Sequence, residues 1–160
     1  MRCAWVLVAG GILCLSLPAL PVLAEDECPA AVKTAVEKTF PGSSVKKCKS
    51  EMEHGKQMYD VKLKTKDGDV TRMEHDPSGL VLVTRQYITA ETVPTVVMKT
   101  YKAKHQDYKL VKTEKWVYPD GKATYRLTYL GEGGAKKTVV YSTEGTLVEE
   151  VATTEVEDMD

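Results

Sequence analysis

The spacing of hydrophobic side chains changes along the chain beyond residue 25. Around residues 30–40 and 91–101, apolar residues recur at intervals of three and four, which places them on one face of a helix. A proline suits the first turn of each segment, and Pro41 with Gly42 ends the first one. We predict two short amphipathic helices, whose apolar stripes are Ala31, Val32, Ala35, Val36 and Phe40 in the first and Val93, Val96, Val97 and Tyr101 in the second.

After each helical segment the period becomes two. Residues 59–64 and 125–129 alternate apolar and polar side chains, which is typical of an antiparallel strand with one face in the core and one in water. Glycine-containing turns, three in each half, separate the strands, because glycine accepts the positive φ of a tight hairpin. We predict eight strands, at residues 44–53, 56–66, 69–76, 79–87, 107–118, 121–131, 135–142 and 145–153.

The two halves of the chain also correspond in sequence. Residues 54–63 align with residues 120–129 at a constant offset of 66, with a glycine, a lysine and a tyrosine identical. Gly79 matches Gly145 at the same offset. A correspondence of this length indicates a supersecondary unit that is present twice.

These patterns together predict an α+β fold made of two tandem copies of a helix followed by a four-stranded antiparallel meander. The first unit would span residues 25–88 and the second residues 89–153, with residues 154–160 as an acidic tail. Each helix would cover the apolar face of its own sheet, because a lone four-stranded sheet leaves that face in water.

The N-terminus has the three parts of a secretory signal. A basic start at Arg2 is followed by an apolar stretch without charge over residues 3–20, and a small-residue cleavage pattern ends at Ala24. The alternative is a membrane anchor, but two prolines break the run and no basic stop-transfer cluster follows. We predict that residues 1–24 are a cleaved signal peptide and that the mature protein is periplasmic or extracellular, with no membrane attachment.

Charge and cysteine content refine this picture. Without the signal peptide the chain keeps 21 Lys and Arg against 23 Asp and Glu, a net charge of −2, which favours neither nucleic acid nor anionic lipid as a partner. Cys28 and Cys48 remain, and two cysteines in an exported domain most often form one disulfide. The spacing does not suit a redox or zinc motif, so we predict a structural bridge that contributes roughly 3 kcal/mol.

The chain resembles the PepSY-like, β-lactamase-inhibitor-like family of secreted bacterial proteins. The resemblance rests on the signal peptide, on the helix ending at residues 39–42 (TFPG), on lysine-rich strands with glycine turns, and on residues 76–81 (DPSGLV) and 118–121 (YPDG). It covers essentially the whole mature chain. It implies tandem helix-plus-sheet architecture and a role in binding or restraining an enzyme, and its motifs carry over no target-specific residue.

No combination of residues indicates catalysis, a metal or a cofactor. The three histidines do not have metal-ligand spacing, no Gly-x-Ser-x-Gly motif occurs, and the glycines at 131–134 lie between strands and not before a helix. The candidate partner-binding residues are Trp116, Tyr118 and Asp120, because tyrosine-rich sheets suit binding; packing of the two aromatic side chains beneath the second helix is the open alternative.

We therefore predict an exported, non-catalytic binding module that inhibits or regulates another secreted protein. The partner would be another exported protein and not nucleic acid or membrane, and the module itself would be a monomer. The alternatives are a structural or envelope-stress protein without a specific protein target, and an enzyme of unknown type.

Overall fold

The computed structural model describes residues 28–152, so the predicted signal peptide and acidic tail lie outside the described residues. Two α-helices are present in this part, α1 (Ala30–Thr39) and α2 (Thr95–His105). The strands are β1 (Ser44–Glu53), β2 (Lys56–Lys64), β3 (Val70–His75), β4 (Val81–Tyr87), β5 (Lys109–Val117), β6 (Ala123–Leu130), β7 (Lys136–Ser142) and β8 (Leu147–Ala152).

All eight strands belong to one antiparallel sheet, in the order β1-β2-β3-β4-β5-β6-β7-β8. Each strand begins and ends within two residues of its predicted position. The predicted fold class, α+β with two tandem helix-plus-meander units, is nevertheless wrong, because the eight strands form a single, mostly β architecture with two α-helices in the described part of the chain.

The two groups of four strands are joined where β4 pairs with β5. The pairing runs from Thr84 opposite Val117 to Tyr87 opposite Glu114. Two separate meanders would each leave a row of unpaired N–H and C=O groups at these strands, and the pairing satisfies the part of both rows that lies within these four residue pairs.

Both helices pack on the same face of the sheet. Residues that pair directly across strands point to one face, and Thr71, Gln86, Lys115 and Tyr125 are linked in this way from β3 to β6. The core under α1 contains Cys28, Val32, Val36, Val61, Leu63 and Met73. The core under α2 contains Val93, Val97, Tyr101, Tyr125, Leu127, Tyr129, Val139 and Tyr141.

A glycine in the turn after β3, and another in the turn after β7, allow each helix to approach the sheet closely. A Cβ atom on Gly79 would lie 2.6 Å from the carbonyl oxygen of Ala31 in α1. A Cβ atom on Gly145 would lie 3.0 Å from Val96 in α2. Both glycines have positive φ, so backbone conformation and contact distance demand the same residue.

The predicted disulfide between Cys28 and Cys48 is confirmed, with Cα atoms 5.6 Å apart. It links Cys28, two positions before the first residue of α1, to the edge strand β1. Because β1 has a neighbour on one side only, the bridge fastens the edge of the sheet to the helix that covers it.

Candidate functional site

The sheet face opposite the helices, which we call the open face, carries most of the charged side chains of the strands. A row of directly paired residues crosses five strands on this face, from Lys47 through Lys62, Arg72 and Arg85 to Trp116. Four cations therefore lie in register on neighbouring strands, and the next residue in the same register is the tryptophan. We call these four cations the cation row. Like charges directly opposite each other destabilise a sheet, so strand pairing alone does not favour this row.

Trp116 lies between two arginines that come from the strands on either side of it. The guanidinium carbon of Arg85 lies 4.2 Å from the ring centroid, and that of Arg126 lies 3.8 Å from it. Each contact has cation–π geometry, which contributes about 0.5–2 kcal/mol. The indole Nε1 is buried without a hydrogen-bond partner among residues 28–152. Trp116 thus lies across the sheet from α2, and the alternative that it packs beneath that helix is wrong.

Acidic side chains beside the cation row hold its two arginines. Asp60 and Glu74 are also directly paired across strands. Arg72 Nη1 lies 3.4 Å from the carboxylate of Asp60, and Arg85 forms an ion pair with Glu74. The side chains of all four residues keep only 17–18% of their surface exposed, so these pairs are screened less than ordinary surface pairs.

The charged network continues towards β8. Lys112 Nζ lies 3.2 Å from Glu114 and 5.1 Å from the ring centroid of Tyr87. Arg126, which already contacts Trp116, lies 3.8 Å from Glu149. The open face is therefore a network of charged and aromatic side chains, in which several residues make more than one contact.

Some side chains on the open face are buried. Val83 and Val140, which pair with Glu74 and Arg126 on this face, are each about 3% exposed. Long arginine and lysine side chains cover the short residues between them while their charged ends stay near water. The surface available to a partner thus consists mainly of guanidinium, ammonium, carboxylate and aromatic groups.

Tyr118 and Asp120 line an open cleft of about 790 Å³ at the end of β5, beside the hairpin that leads into β6. Trp116 is not among its lining residues, so the structure brings together two of the three predicted partner-binding residues. The cleft is lined by Tyr118, Pro119, Asp120, Gly121, Lys122, Ala123, Thr124, Ser142, Thr143, Glu144 and Val148.

Asp120 has a defined role in this hairpin. Its carboxylate accepts a hydrogen bond from the backbone N–H of Lys122 at 3.0 Å and pairs with the Lys122 ammonium at 2.8 Å. The contact with the Lys122 side chain, followed by the backbone hydrogen bond, lowers the pKa of Asp120. The rim of the cleft therefore carries a carboxylate and an ammonium group side by side, both largely exposed.

A second cleft, of about 550 Å³, lies at the corresponding place in the first half of the chain. It is lined by Lys56, Gln57, Met58, Asp76, Pro77 and Leu82. The residue 66 positions after each of these lines the first cleft. Sequence reasoning missed both clefts, although the constant offset of 66 was the signal that could have paired them.

The buried histidines and tyrosines lie on the helix side of the sheet. The ring centroids of His105 and Tyr129 are 4.6 Å apart, and Tyr101 and Tyr108 complete the cluster. Burial lowers the pKa of His105, and burial together with Glu150 raises the pKa of Tyr129 to about 12. The imidazole of His105 and the phenol of Tyr129 are therefore neutral near pH 7 and pack as core.

His75 is fully buried as well, with Nδ1 3.3 Å from the carbonyl oxygen of Gly79, and burial lowers its pKa. Within residues 28–152 no cluster of three or more His, Cys, Asp or Glu side chains is arranged to hold a metal ion. None of the helices in this part of the chain is long and apolar enough to cross a membrane.

Comparison with known proteins identifies the fold. No family model and no curated protein sequence matches the chain. Three solved structures match with TM-scores of 0.66–0.68: a DUF2874 family protein from Bacteroides ovatus, a BLIP-like protein from Bacteroides fragilis, and a protein described as periplasmic from Bacteroides eggerthii.

The sequence identities of these three structures to the chain are 13%, 19% and 15% respectively. The first two cover 84% of this chain and 94% of their own, and the third covers 79% and 89%. The chain therefore has a BLIP-like fold along nearly its whole described length.

Proposed function

We propose that this chain is an exported, non-catalytic binding protein that holds another exported protein on the open face of its sheet, at Trp116, Tyr118 and Asp120. The observation that carries the proposal is the face itself. Eight strands present one side to solvent, and a fixed arrangement of arginines around a tryptophan lies near its middle. Aromatic and arginine side chains are the ones that dominate the energy of protein interfaces.

Export to the periplasm or the extracellular space is supported by two independent features. The Cys28–Cys48 disulfide belongs to an oxidising compartment. A solved structure that shares the fold is described as periplasmic, which agrees with the signal peptide predicted for residues 1–24. The mature protein therefore meets its partner outside the cytoplasm.

Binding through the face is better supported than binding through an edge of the sheet. The exposed edge strand β1 carries three lysines close together, Lys46, Lys47 and Lys49. Lysines on an edge strand discourage the addition of another strand. The open face, in contrast, holds rigid side chains that lose little freedom when a partner docks. We infer that a monomer presents this face.

Inhibition or regulation of the partner is the finer part of the proposal. It is supported by the BLIP-like protein of the same fold and by the resemblance to β-lactamase-inhibitor-like proteins. A broad sheet face can cover the active-site entrance of an enzyme without doing chemistry itself. The proposal assigns no catalytic role to any residue of the chain.

Site-specific photo-cross-linking in the exporting cell tests the binding role. A photoreactive side chain is placed at position 118 on the first cleft, and the matched control is at position 99, which is exposed on α2. We expect one major cross-linked protein from position 118 and not from position 99. A structural protein without a specific target would give no such species, or the same species at both positions, and either result would contradict the proposal.

A further inference from the structure

The open face carries the whole excess of positive charge of the described chain. Residues 28–152 contain 21 Lys and Arg against 16 Asp and Glu. Strand pairing and alternation place eleven of the cations and six of the acids on the open face, with cations on every strand from β1 to β7. The rest of the described chain then has ten of each sign. The six acids that the strands themselves place on the open face are Glu51, Glu53, Asp60, Glu74, Glu114 and Glu149.

This asymmetry is organised and not diffuse. In the cation row, residues on neighbouring strands are directly paired. The pairs are Lys47 with Lys62, Lys62 with Arg72, and Arg72 with Arg85. Such like-charge pairs cost stability in the free protein. Asp60 and Glu74 offset part of this cost at Arg72 and Arg85, and the negative charges of a ligand would offset it further, so the row favours an acidic ligand.

Arg85 is held in a conformation suited to receiving a carboxylate. Its guanidinium stacks on the ring of Trp116 and forms an ion pair with Glu74. An arginine fixed in this way has a planar set of donors whose direction is settled before binding, and a carboxylate can accept two of them side by side. Because the Nε of Arg85 is buried, a ligand carboxylate would meet the terminal nitrogens of this guanidinium, which need little further ordering on binding.

We propose, on the basis of the proposed function, that the partner docks an acidic protein surface on the cation row. Its carboxylates lie over Lys62, Arg72 and Arg85, and an apolar or aromatic group of the partner lies next to Trp116. Complementary charge of this kind accelerates association and selects against basic partners.

A protein surface fits this face better than a nucleic acid does. Asp60, Glu74 and Glu114 lie among the cations and would repel a continuous row of phosphates. The carboxylates of a protein are separate and can take positions between these acids. The chain's own acidic segment at residues 154–160 has the same chemistry and is a competing occupant that the experiment must distinguish.

Fluorescence of the exported form tests the inference, because Trp116 is its only tryptophan once Trp5 has left with the signal peptide. The protein is titrated with a short polyglutamate, a short polylysine and an oligothymidylate of similar length, and amide chemical shifts locate each ligand. We expect saturable binding of polyglutamate on β2–β5, roughly tenfold weaker when the salt is raised from low to near-molar concentration. Polylysine should not bind there.

Matched charge changes sharpen the test. Lys47→Glu removes the exposed end of the row, and Lys102→Glu makes the same change on the exposed surface of α2. We expect polyglutamate affinity to fall roughly fivefold for Lys47→Glu and to stay unchanged for Lys102→Glu. Arg85→Met, which keeps a long side chain beside Trp116, should weaken binding by at least as much. An equal loss in both lysine variants would mean diffuse attraction and would overturn the inference.

Three further outcomes would also overturn it. Tighter binding of oligothymidylate than of polyglutamate would make the face a nucleic-acid site. Binding of polyglutamate only after removal of residues 154–160 would make the chain's own tail the occupant. Absence of polyglutamate binding, together with a cross-linked partner at position 118, would leave the proposed function intact and reject the acidic surface alone.

Discussion

The two faces of the sheet are built from alternating residues of the same strands, yet different forces organise them. On β2, Val61 and Leu63 are fully buried against α1, while Asp60 and Lys62 on the open face belong to a network of charges. On the helix side, stability comes from removing apolar surface from water. On the open side, much of the contact is between charges that pair diagonally while like charges face each other directly.

This difference indicates that the two faces serve different purposes. A face selected for stability alone would place opposite charges in direct register, because those pairs strengthen a sheet. The open face instead keeps Arg72 opposite Arg85 and Asp60 opposite Glu74. Local arrangements that oppose stability are most often found where a protein binds or reacts.

The largest expected effect compares adjacent residues on the two faces. Leu63→Ala should lower the free energy of unfolding by about 2–5 kcal/mol, because it leaves a cavity under α1. Lys64→Ala, at the next position on the open face, should change it by less than about 0.5 kcal/mol. Urea unfolding of both variants measures the difference. Similar losses for the two would mean that the open face is also a stability core.

A second comparison concerns the turns that bring the helices close. Gly79→Ala should cost about 2–3 kcal/mol, because the new Cβ meets the backbone of α1 and the residue has positive φ. Gly121 also has positive φ, but a Cβ atom added there would have no neighbour within 4 Å, so Gly121→Ala should cost only about 1–2 kcal/mol. Thermal unfolding of the two variants separates contact from backbone strain. Equal losses would show that the close approach to α1 contributes nothing.

The third comparison separates folding from binding on the open face. Trp116→Ala should weaken partner binding by about 2 kcal/mol, because it removes the ring that holds Arg85 and Arg126. Since Trp116 lies outside both core clusters, the variant should stay folded, with the free energy of unfolding lowered by about 1–2 kcal/mol from the lost cation–π contacts. Leu127→Ala, on the helix face, is the matched control: the free energy of unfolding should be lowered more, while the folded fraction binds normally.

The sequence made the strands predictable but not their assembly. Alternation in residues 59–64 and 125–129 located β2 and β6, because burial on one face imposes a period of two. Whether β4 would pair with β5 could not be read in this way, since 21 residues and helix α2 separate the two strands. Strand pairing at that distance depends on long-range contacts, and the local pattern of residues does not record them.

The candidate site likewise has features that the sequence predicts and features that only the folded structure reveals. The Cys28–Cys48 bridge followed from composition and export, because few other partners were available. The position of Trp116 on the face away from α2 did not follow from the sequence. Alternation says which residues share a face and not which face a helix covers. The clefts combine residues of different hairpins, such as Met58 with Leu82, so only the folded sheet brings their lining together.

The smallest expected effect is a pH dependence that belongs to the helix face. Burial lowers the pKa of both His75 and His105 below the value near 6.5 that they regain on unfolding. The unfolded chain therefore binds more protons between the two values, so stability is fully present above about pH 6.5 and is lost as the pH falls below it. His105→Phe keeps a ring against Tyr129 and removes one titrating group.

Urea unfolding between pH 8 and pH 5 measures this dependence. We expect the free energy of unfolding to be level from pH 8 to pH 7 and then to decrease, and the decrease should be smaller for His105→Phe. The acids whose pKa is lowered, Asp76 and Asp120 among them, act at lower pH, so they do not obscure this range. Partner binding by the protein that is still folded should not follow the same curve, because both histidines lie across the sheet from the cation row. If binding and stability decreased together with pH, both in His105→Phe and in the unmodified protein, the two faces would be coupled.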